Sequence, residues 1–276
     1  MIDPLYSLSG FCVGMLVGMT GVGGGSLMTP LLIMLFGVHP ATAVGTDLLY
    51  AAITKTGGSL VHGFAHSIDW RVVRRLASGS IPATIVTLTV LSHFNLNSDA
   101  ASSLITLVLS IALFVTAFVL VFGTKIVAIY RSRVSELDPQ YTANSTVLVG
   151  LLLGVMVSLS SVGAGAIGVI ALVLLYPQLP MAKIIGSDIA HAVPLTLVAG
   201  LGHWMIGSVD WHIIISLLVG SLPGIFVGSY FAIRMPERAL RLILASILFV
   251  VASRIAYNHA AAASAFFTAF SSRAIN

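Results

Sequence analysis

The run "GMTGVGGGSLMTP" (18–30) places Gly21, Gly23, Gly24 and Gly25 within five positions of a strongly apolar stretch. Glycine turns the backbone tightly and lets a ligand approach main-chain N–H groups, which is how phosphate loops hold their anion. No Gly-Lys-Ser/Thr follows these glycines, so the nucleotide-loop pattern is absent. What remains is helix-end chemistry. A half-helix beginning near Ser26 would aim free N–H groups and its positive dipole end at a ligand. Thr20 and Ser26 add hydroxyls on either side of Val22. The pattern returns at "SLSSVGAGAIGVI" (158–170), through Ser160, Ser161, Val162, Gly163, Ala164 and Gly165, with the second half-helix starting near Ala166. Two such tips facing each other would prefer an anion rich in oxygen acceptors. Gly10, Gly14 and Gly18, matched by Gly150, Gly154 and Ser158, stand four apart and suit close helix packing instead.

Ionisable residues inside apolar segments are functional candidates, because burying them is costly. Asp47 and Asp188 are two such acids. Each could bond the backbone of a neighbouring hairpin tip, or carry a proton coupled to transport. Lys55 could pair with Asp47, meet an anionic substrate or snorkel to the cytoplasmic side. His191, one turn after Asp188, and Tyr50, one turn after Asp47, could donate hydrogen bonds into the same space. Asp69 and Asp210 read as helix N-caps, and Trp70 and Trp211 as interfacial anchors. Pro82 and Pro223 would kink their helices near mid-membrane and make gating candidates. His62 and His203 read as structural. No His, Cys or Asp grouping has metal-ligand spacing, so neither a metal nor a cofactor is expected. No nucleophile–base pair is evident, so the chain is not read as an enzyme.

The elements that must position these residues lie in a membrane. Of 276 residues, 58% are hydrophobic and 8% charged, whereas soluble domains carry about 25% charged residues. The few cations cluster at the ends of apolar runs, which excludes nucleic acid as a partner. Cys12 is the only cysteine, so an intrachain disulfide is excluded. The opening "MIDPLYSLSG" lacks a basic n-region and is not read as a signal peptide. Apolar segments run over 5–37, 41–61, 71–92 and 100–122. After a polar stretch at 123–146, they resume at 147–176, 182–202, 212–233 and 238–257. The tail, 258–276, is expected to be loosely ordered.

Four segments followed by four suggest duplication. Residues 39–82 match 180–223 at 13 of 44 positions without a gap. His62 falls on His203, Asp69-Trp70 on Asp210-Trp211, and "GSIP" (79–82) on "GSLP" (220–223). If every segment crossed once, the two sides would carry 8 and 4 Lys/Arg; if the first segment of each half returns to its own side, the division is 10 to 2. A straight helix over 5–37 would be roughly 50 Å long against a hydrocarbon core of about 30 Å. Both arguments favour an all-α polytopic membrane protein of two inverted four-segment repeats. Each repeat would be a re-entrant helical hairpin (5–37, 147–176) followed by three transmembrane helices. Repeat one covers 1–122 and repeat two 147–257, with 123–146 as a cytoplasmic linker and both termini outside.

The motifs "GVGGG", "AVGTDLLYAAITK" and "HSIDW" followed by "GSIP", with the echoes "GSDIAHAVPLTLVAGLGH" and "GSVDW", resemble the sulfite exporter TauE/SafE family of bacterial membrane permeases. The resemblance covers about residues 5–255. It implies transport of a small sulfur-containing anion, sulfite or an organosulfonate, across the bacterial inner membrane. The expectation is therefore a secondary permease working by alternating access, with the anion bound at the hairpin tips. Its partners would be that anion and the lipid bilayer, with room for a coupling proton or ion and for a homodimer. The alternatives are a permease or channel for another small anion, or cation transport through Asp47 and Asp188. Ser161, Ala164 and Ala166 replace Gly21, Gly24 and Ser26 in the second tip, so the two tips need not contact the ligand equally. In a chain lacking Cys12, a single cysteine placed within 131–140 should resist impermeant thiol reagents added outside intact cells. External labelling there would overturn the cytoplasmic placement of the linker.

Overall fold

The computed structural model describes residues 3–20, 25–64, 67–93, 98–131, 138–232 and 237–274. It contains ten helices and no strand among those residues: α1 (Pro4–Thr20), α2 (Gly25–Phe36), α3 (Pro40–Phe64), α4 (Trp70–His93), α5 (Asp99–Arg131), α6 (Pro139–Ser160), α7 (Ala166–Leu175), α8 (Met181–Met205), α9 (Trp211–Ala232) and α10 (Glu237–Ala274). Five of them are long and apolar enough to cross a membrane, within α5, α6, α8, α9 and α10. By contrast α2 has 12 residues and α7 has 10, roughly 18 and 15 Å of helix, about half the hydrocarbon thickness.

The outer surface is the apolar one. On α5 the exposed positions Leu104, Leu107, Ile111, Val115, Phe118 and Phe122 recur at helical spacing, while Ile105, Leu109, Ala112, Leu113 and Thr116 are buried. Thr29, Thr46, Asp47, Ser80, Thr84, Ser158, Asp188 and His191 are almost wholly buried. An apolar exterior around a polar interior is the inverse of a soluble fold and suits a chain whose solvent is lipid.

Glycine sets the closest helix contacts. A Cβ at Gly10, Gly14 or Gly18 would collide with the carbonyl oxygens of Leu217, Ser221 and Ile225 on α9. Gly220, Gly224 and Gly228 return the contact against Ser7, Phe11 and Met15 of α1. The numbering rises together on both helices, so α1 and α9 run the same way. The pair α4 and α6 repeats this geometry: Gly79 meets Val147, Gly150 meets Leu76 and Gly154 meets Ser80. Lipid supplies no hydrophobic force between helices, so such backbone-to-backbone packing has to hold them. The first helix of each half thus packs on the third long helix of the other half, and the halves interlock.

Two boundaries differ from the sequence reading. Residues 123–146 are mostly helical, since α5 continues to Arg131 and α6 begins at Pro139 behind its N-cap Asp138. Hydropathy locates where lipid ends, not where a helix ends, and "FGTKIVAIYR" holds nothing that stops one. The tail also differs: α10 continues to Ala274, in keeping with the high helix propensity of its alanine run.

Replacing Gly14 by Leu should lower the thermal midpoint in detergent sharply, because overpacking of a close contact costs about 1–3 kcal/mol or more. Cys12→Leu, on an exposed position of the same helix, should leave the midpoint nearly unchanged. Equal midpoints for both variants would remove the close α1–α9 contact.

Candidate functional site

The centre is built on the crossing of α3 and α8. Gly45 lies against His203 and the Ser208 carbonyl, and Gly200 against Leu49, so these two helices run antiparallel. Continuing that register brings Lys55 opposite Val193 and Pro194, within a turn of its repeat counterpart Thr196. Asp47 stands eight residues before Lys55, and Asp188 eight before Thr196, about 12 Å of helix in each case. The two acids therefore flank the lysine from opposite ends of the crossing.

The motifs around these acids clamp one half to the other. Thr46 Oγ1 accepts the backbone N–H of Asp210 at 3.0 Å, and Ser187 Oγ accepts that of Asp69 at 2.8 Å. Gly45 and Gly186 sit against the carbonyls of Ser208 and Ser67, so a side chain at either would collide. "GTD" and "GSD" thus each grip the "SVDW" or "SIDW" corner of the opposite half. The aspartates of those corners cap their helices as expected: Asp69 Oδ1 accepts from the N–H of Arg71 at 2.9 Å, and Asp210 Oδ1 from His212 and Ile213 at 2.9 and 3.2 Å. Trp70 and Trp211 are exposed beside them. His203 is buried and structural, its Nδ1 2.9 Å from Ser208 Oγ and its Nε2 2.9 Å from the Ser158 carbonyl. The side chain of His62 is outside the described residues.

Above this frame lies the break between α6 and α7. Ser161 closes α6 in the left-handed region at φ 59°, and its N–H bonds the Val157 carbonyl. Gly163 and Gly165 follow at φ 132° and 134°, values that L side chains rarely adopt. Val162 is buried, and its N–H bonds Ser160 Oγ at 3.2 Å. Gly165 is the N-cap of α7 and brings no side-chain hydrogen bond to it. The Gly163 carbonyl accepts the N–H of Gly168 at 3.2 Å, and the N–H groups of Ala166 and Ile167 before it have no side-chain cap. This tip runs past all three charged residues. The Ser161 hydroxyl faces Asp47, the Ala164 carbonyl accepts from Lys55 Nζ at 3.4 Å, and Gly168, in the first turn of α7, lies directly on Asp188 Oδ1.

Asp47 and Asp188 are fully buried, and each keeps one carboxylate oxygen without a hydrogen-bond partner. The other oxygen of Asp47 accepts from Thr29 Oγ1 of α2 at 2.6 Å, so this acid holds the short helix of its own half. Lys55 is half-buried and within electrostatic reach of Asp188, Asp47 and His191. His191 Nε2 lies 2.8 Å from Ser80 Oγ of α4, and its Nδ1 has no partner. Tyr50, the repeat equivalent of His191, faces Ser221 of α9, the equivalent of Ser80. The serine of each "GSxP" motif thus meets the residue one turn beyond the opposite aspartate.

Of the residues singled out in the sequence, Ser160, Ser161, Val162, Gly163, Ala164, Gly165, Asp47, Tyr50, Lys55, Asp188 and His191 meet at this centre. Ser26 is buried in the first turn of α2. Thr20 ends α1 and Gly25 begins α2, while Gly21, Val22, Gly23 and Gly24 lie outside the described residues. Pro82 and Pro223 are inside α4 and α9 but exposed on their outer faces, so neither lines the centre. Each leaves a carbonyl one turn earlier without its helical donor. Sequence reasoning missed Thr29, Thr46, Ser187, Ser80, Ser221 and Gly168. Self-comparison of the halves carried the signal for four of them, since Ser80 matches Ser221 and the hydroxyl of Thr46 matches that of Ser187. A cleft of about 760 Å³ between α5 and α10 is lined by apolar residues such as Phe114, Phe118, Phe249 and Val250 and holds none of these groups.

A lipid-facing helical exterior around broken helices and buried charges defines a polytopic integral membrane protein, with the interrupted helices common in transporters. The chain belongs to the sulfite exporter TauE/SafE family, whose model matches residues 6–255. It is 38% identical over 244 residues to the probable membrane transporter protein YjnA of Bacillus subtilis, covering 88% of this chain and 95% of that one. It is 25% identical to the probable membrane transporter protein YdhB of the same organism, over 84% and 91% of the two chains. To the probable membrane transporter protein MJ0441 of Methanocaldococcus jannaschii it is 26% identical, over 91% and 94%. No solved structure matches the chain.

Thr46→Val and Ser187→Ala should each cost about 1–3 kcal/mol by leaving a corner N–H unpaired. Their effects should add in the double variant, because the two clamps are at opposite ends of the crossing. Unfolding midpoints in detergent read both numbers, and no loss from either change would remove the clamp.

Proposed function

We propose that this chain is a secondary permease for a small sulfur-containing anion, sulfite or an organosulfonate, working by alternating access in the bacterial inner membrane. The observation that carries the reading is the α6–α7 tip. A helix N-terminus without a side-chain cap and a glycine-bearing turn meet the ammonium of the half-buried Lys55 beside two buried acids. Backbone N–H groups, the dipole and a cation together favour an oxyanion. The Ser161 hydroxyl, which has no hydrogen-bond partner among the described residues, supplies a further polar contact.

In this reading α1 with α2, and α6 with α7, are re-entrant hairpins, because α2 and α7 are too short to cross. The antiparallel course of α3 and α8 supports inverted repeats, since a repeat copied without inversion would keep those equivalent helices parallel. Residues 132–138 are then cytoplasmic, on the side that collects the greater share of Lys and Arg. Alternating access would move the interlocked pairs α1–α9 and α4–α6 against each other around the fixed crossing of α3 and α8. The family's name points to sulfite, and a sulfonate presents the same three oxygen acceptors. Cation transport through Asp47 and Asp188 is the weaker reading, because Lys55 stands between the two acids.

Purified protein in liposomes should take up labelled sulfite or sulfoacetate faster than empty vesicles do. Ala164→Phe should cut that rate about tenfold or more by filling the tip, while the variant still reaches the membrane. Uptake of none of the sulfur anions tested, or full uptake by Ala164→Phe, would overturn the assignment of substrate or site respectively.

A further inference from the structure

The charges at the centre do not fit an anion as they stand. With every group ionised, Asp47, Asp188 and Lys55 together carry one negative charge, in a place sheltered from water. Asp188 lies against the first turn of α7, where the helix dipole would hold the substrate. Asp47 faces the hydroxyl at the other end of the same tip. An anion entering the tip would meet two carboxylates and one ammonium.

Resting on the anion-permease reading, we propose that Asp47 and Asp188 make this protein a proton symporter, taking up one proton with each monovalent anion bound at the α6–α7 tip. The empty site is neutral when one carboxylate is protonated and the other pairs with Lys55. Binding a monoanion restores neutrality only if the second carboxylate also takes a proton, one per anion, drawn from the solution on the side that is open. Each acid has one unpartnered buried oxygen to receive that proton. Protonation also frees the start of α7 from the competing Asp188 carboxylate. A sodium ion fits less well, since it would have to enter beside the ammonium of Lys55 and cannot shed its charge.

The groups facing the two acids are known on each side. From α2 comes the hydroxyl of Thr29, from the tip that of Ser161, and from α7 the backbone of Gly168. Lys55 reaches both acids from α3, and His191 and Tyr50 stand one turn beyond them, held against Ser80 of α4 and Ser221 of α9. Lys55 and His191 are the bases within reach. His191 pairs with Ser80 through Nε2 and keeps Nδ1 unpartnered, so it is the rival proton acceptor. A pH dependence that survives in Asp47→Asn/Asp188→Asn would assign the proton to His191 and overturn the role of the two acids.

Ethanesulfonate, a fully ionised monoanion across neutral pH, is the probe for calorimetric titration of the purified protein. Its affinity should fall about tenfold per pH unit as pH rises, since one proton accompanies each anion. Titration in two buffers of different ionisation enthalpy should count about one proton per anion. In Asp47→Asn/Asp188→Asn the dependence on pH should disappear while binding persists through Lys55. An affinity flat in pH with no proton uptake by the unaltered protein overturns the coupling and leaves the anion site standing. Tighter binding in sodium than in potassium salts, with no proton count, would replace the proton by sodium. A second measurement needs no substrate and no variant that folds poorly. The infrared spectrum of the unliganded protein at neutral pH should show a protonated carboxyl band that shifts on deuteration and is lost at high pH. Its absence overturns the proposal even if no sulfonate binds, and its presence supports it independently of the sulfonate assignment.

Discussion

The crossing of α3 and α8 is the constraint on which the rest depends. It brings two acids and a lysine into the interior of a protein whose surroundings are hydrocarbon. Isolated charges cannot remain there unless other groups pair them or neutralise them. The surrounding structure answers that demand locally. Thr29 bonds one acid, the start of α7 lies on the other, and a broken helix offers its carbonyl to the lysine. Backbone outside helical geometry is tolerated at such depth only where protein or a wet cavity encloses it. The tip needs the crossing beneath it as much as the charges need the tip.

Interlocking makes this arrangement stiff where it has to be. Each corner bearing Asp69 or Asp210 is held by a hydroxyl from the opposite half, and each "GSxP" serine faces the opposite half's His191 or Tyr50. Neither half can build its share of the centre alone. The glycine seams of α1 on α9 and α4 on α6 bring backbones into contact with almost no side chain between them. Such seams hold helices firmly yet offer few side-chain ridges to obstruct sliding, which suits pairs that must move as units.

Much of this was legible in the sequence. Low charge and long apolar runs indicated the membrane. The ungapped match of the halves contained Asp47, Tyr50, Lys55, Asp188 and His191, while the glycine-bearing second tip supplied the rest of the residues singled out at the centre. The glycine spacing of four on α1 and α6 correctly indicated packing. Other features could not be read so directly. The length argument counts a 33-residue apolar run as too long for one helix, yet α5 is itself 33 residues long. Length alone therefore does not divide an apolar run; α1 ends at Thr20 and α2 begins at Gly25. Pro82 and Pro223 looked central because they fall mid-helix, but facing is a tertiary property and both turn outward. Thr29 gave no signal, since its partner in the second half is an apolar residue. The contact between Gly168 and Asp188 depends on how two segments are stacked, which no spacing along one segment records.

Lys55 has Thr196 as its counterpart, so the centre is symmetric in shape but not in charge. Two equivalent halves exchanging roles would give inward-open and outward-open forms of equal energy, each the mirror of the other. A single ammonium near the exchange point removes that degeneracy. The lysine keeps its hydrogen bond to the Ala164 carbonyl only in forms that leave the α6–α7 tip beside it, and its counterpart Thr196 carries no charge. In the alternating-access permease proposed above, this one residue would give the empty protein a preferred resting orientation. Reorientation would proceed at different rates in the two directions, even though the gradients alone decide the net flow.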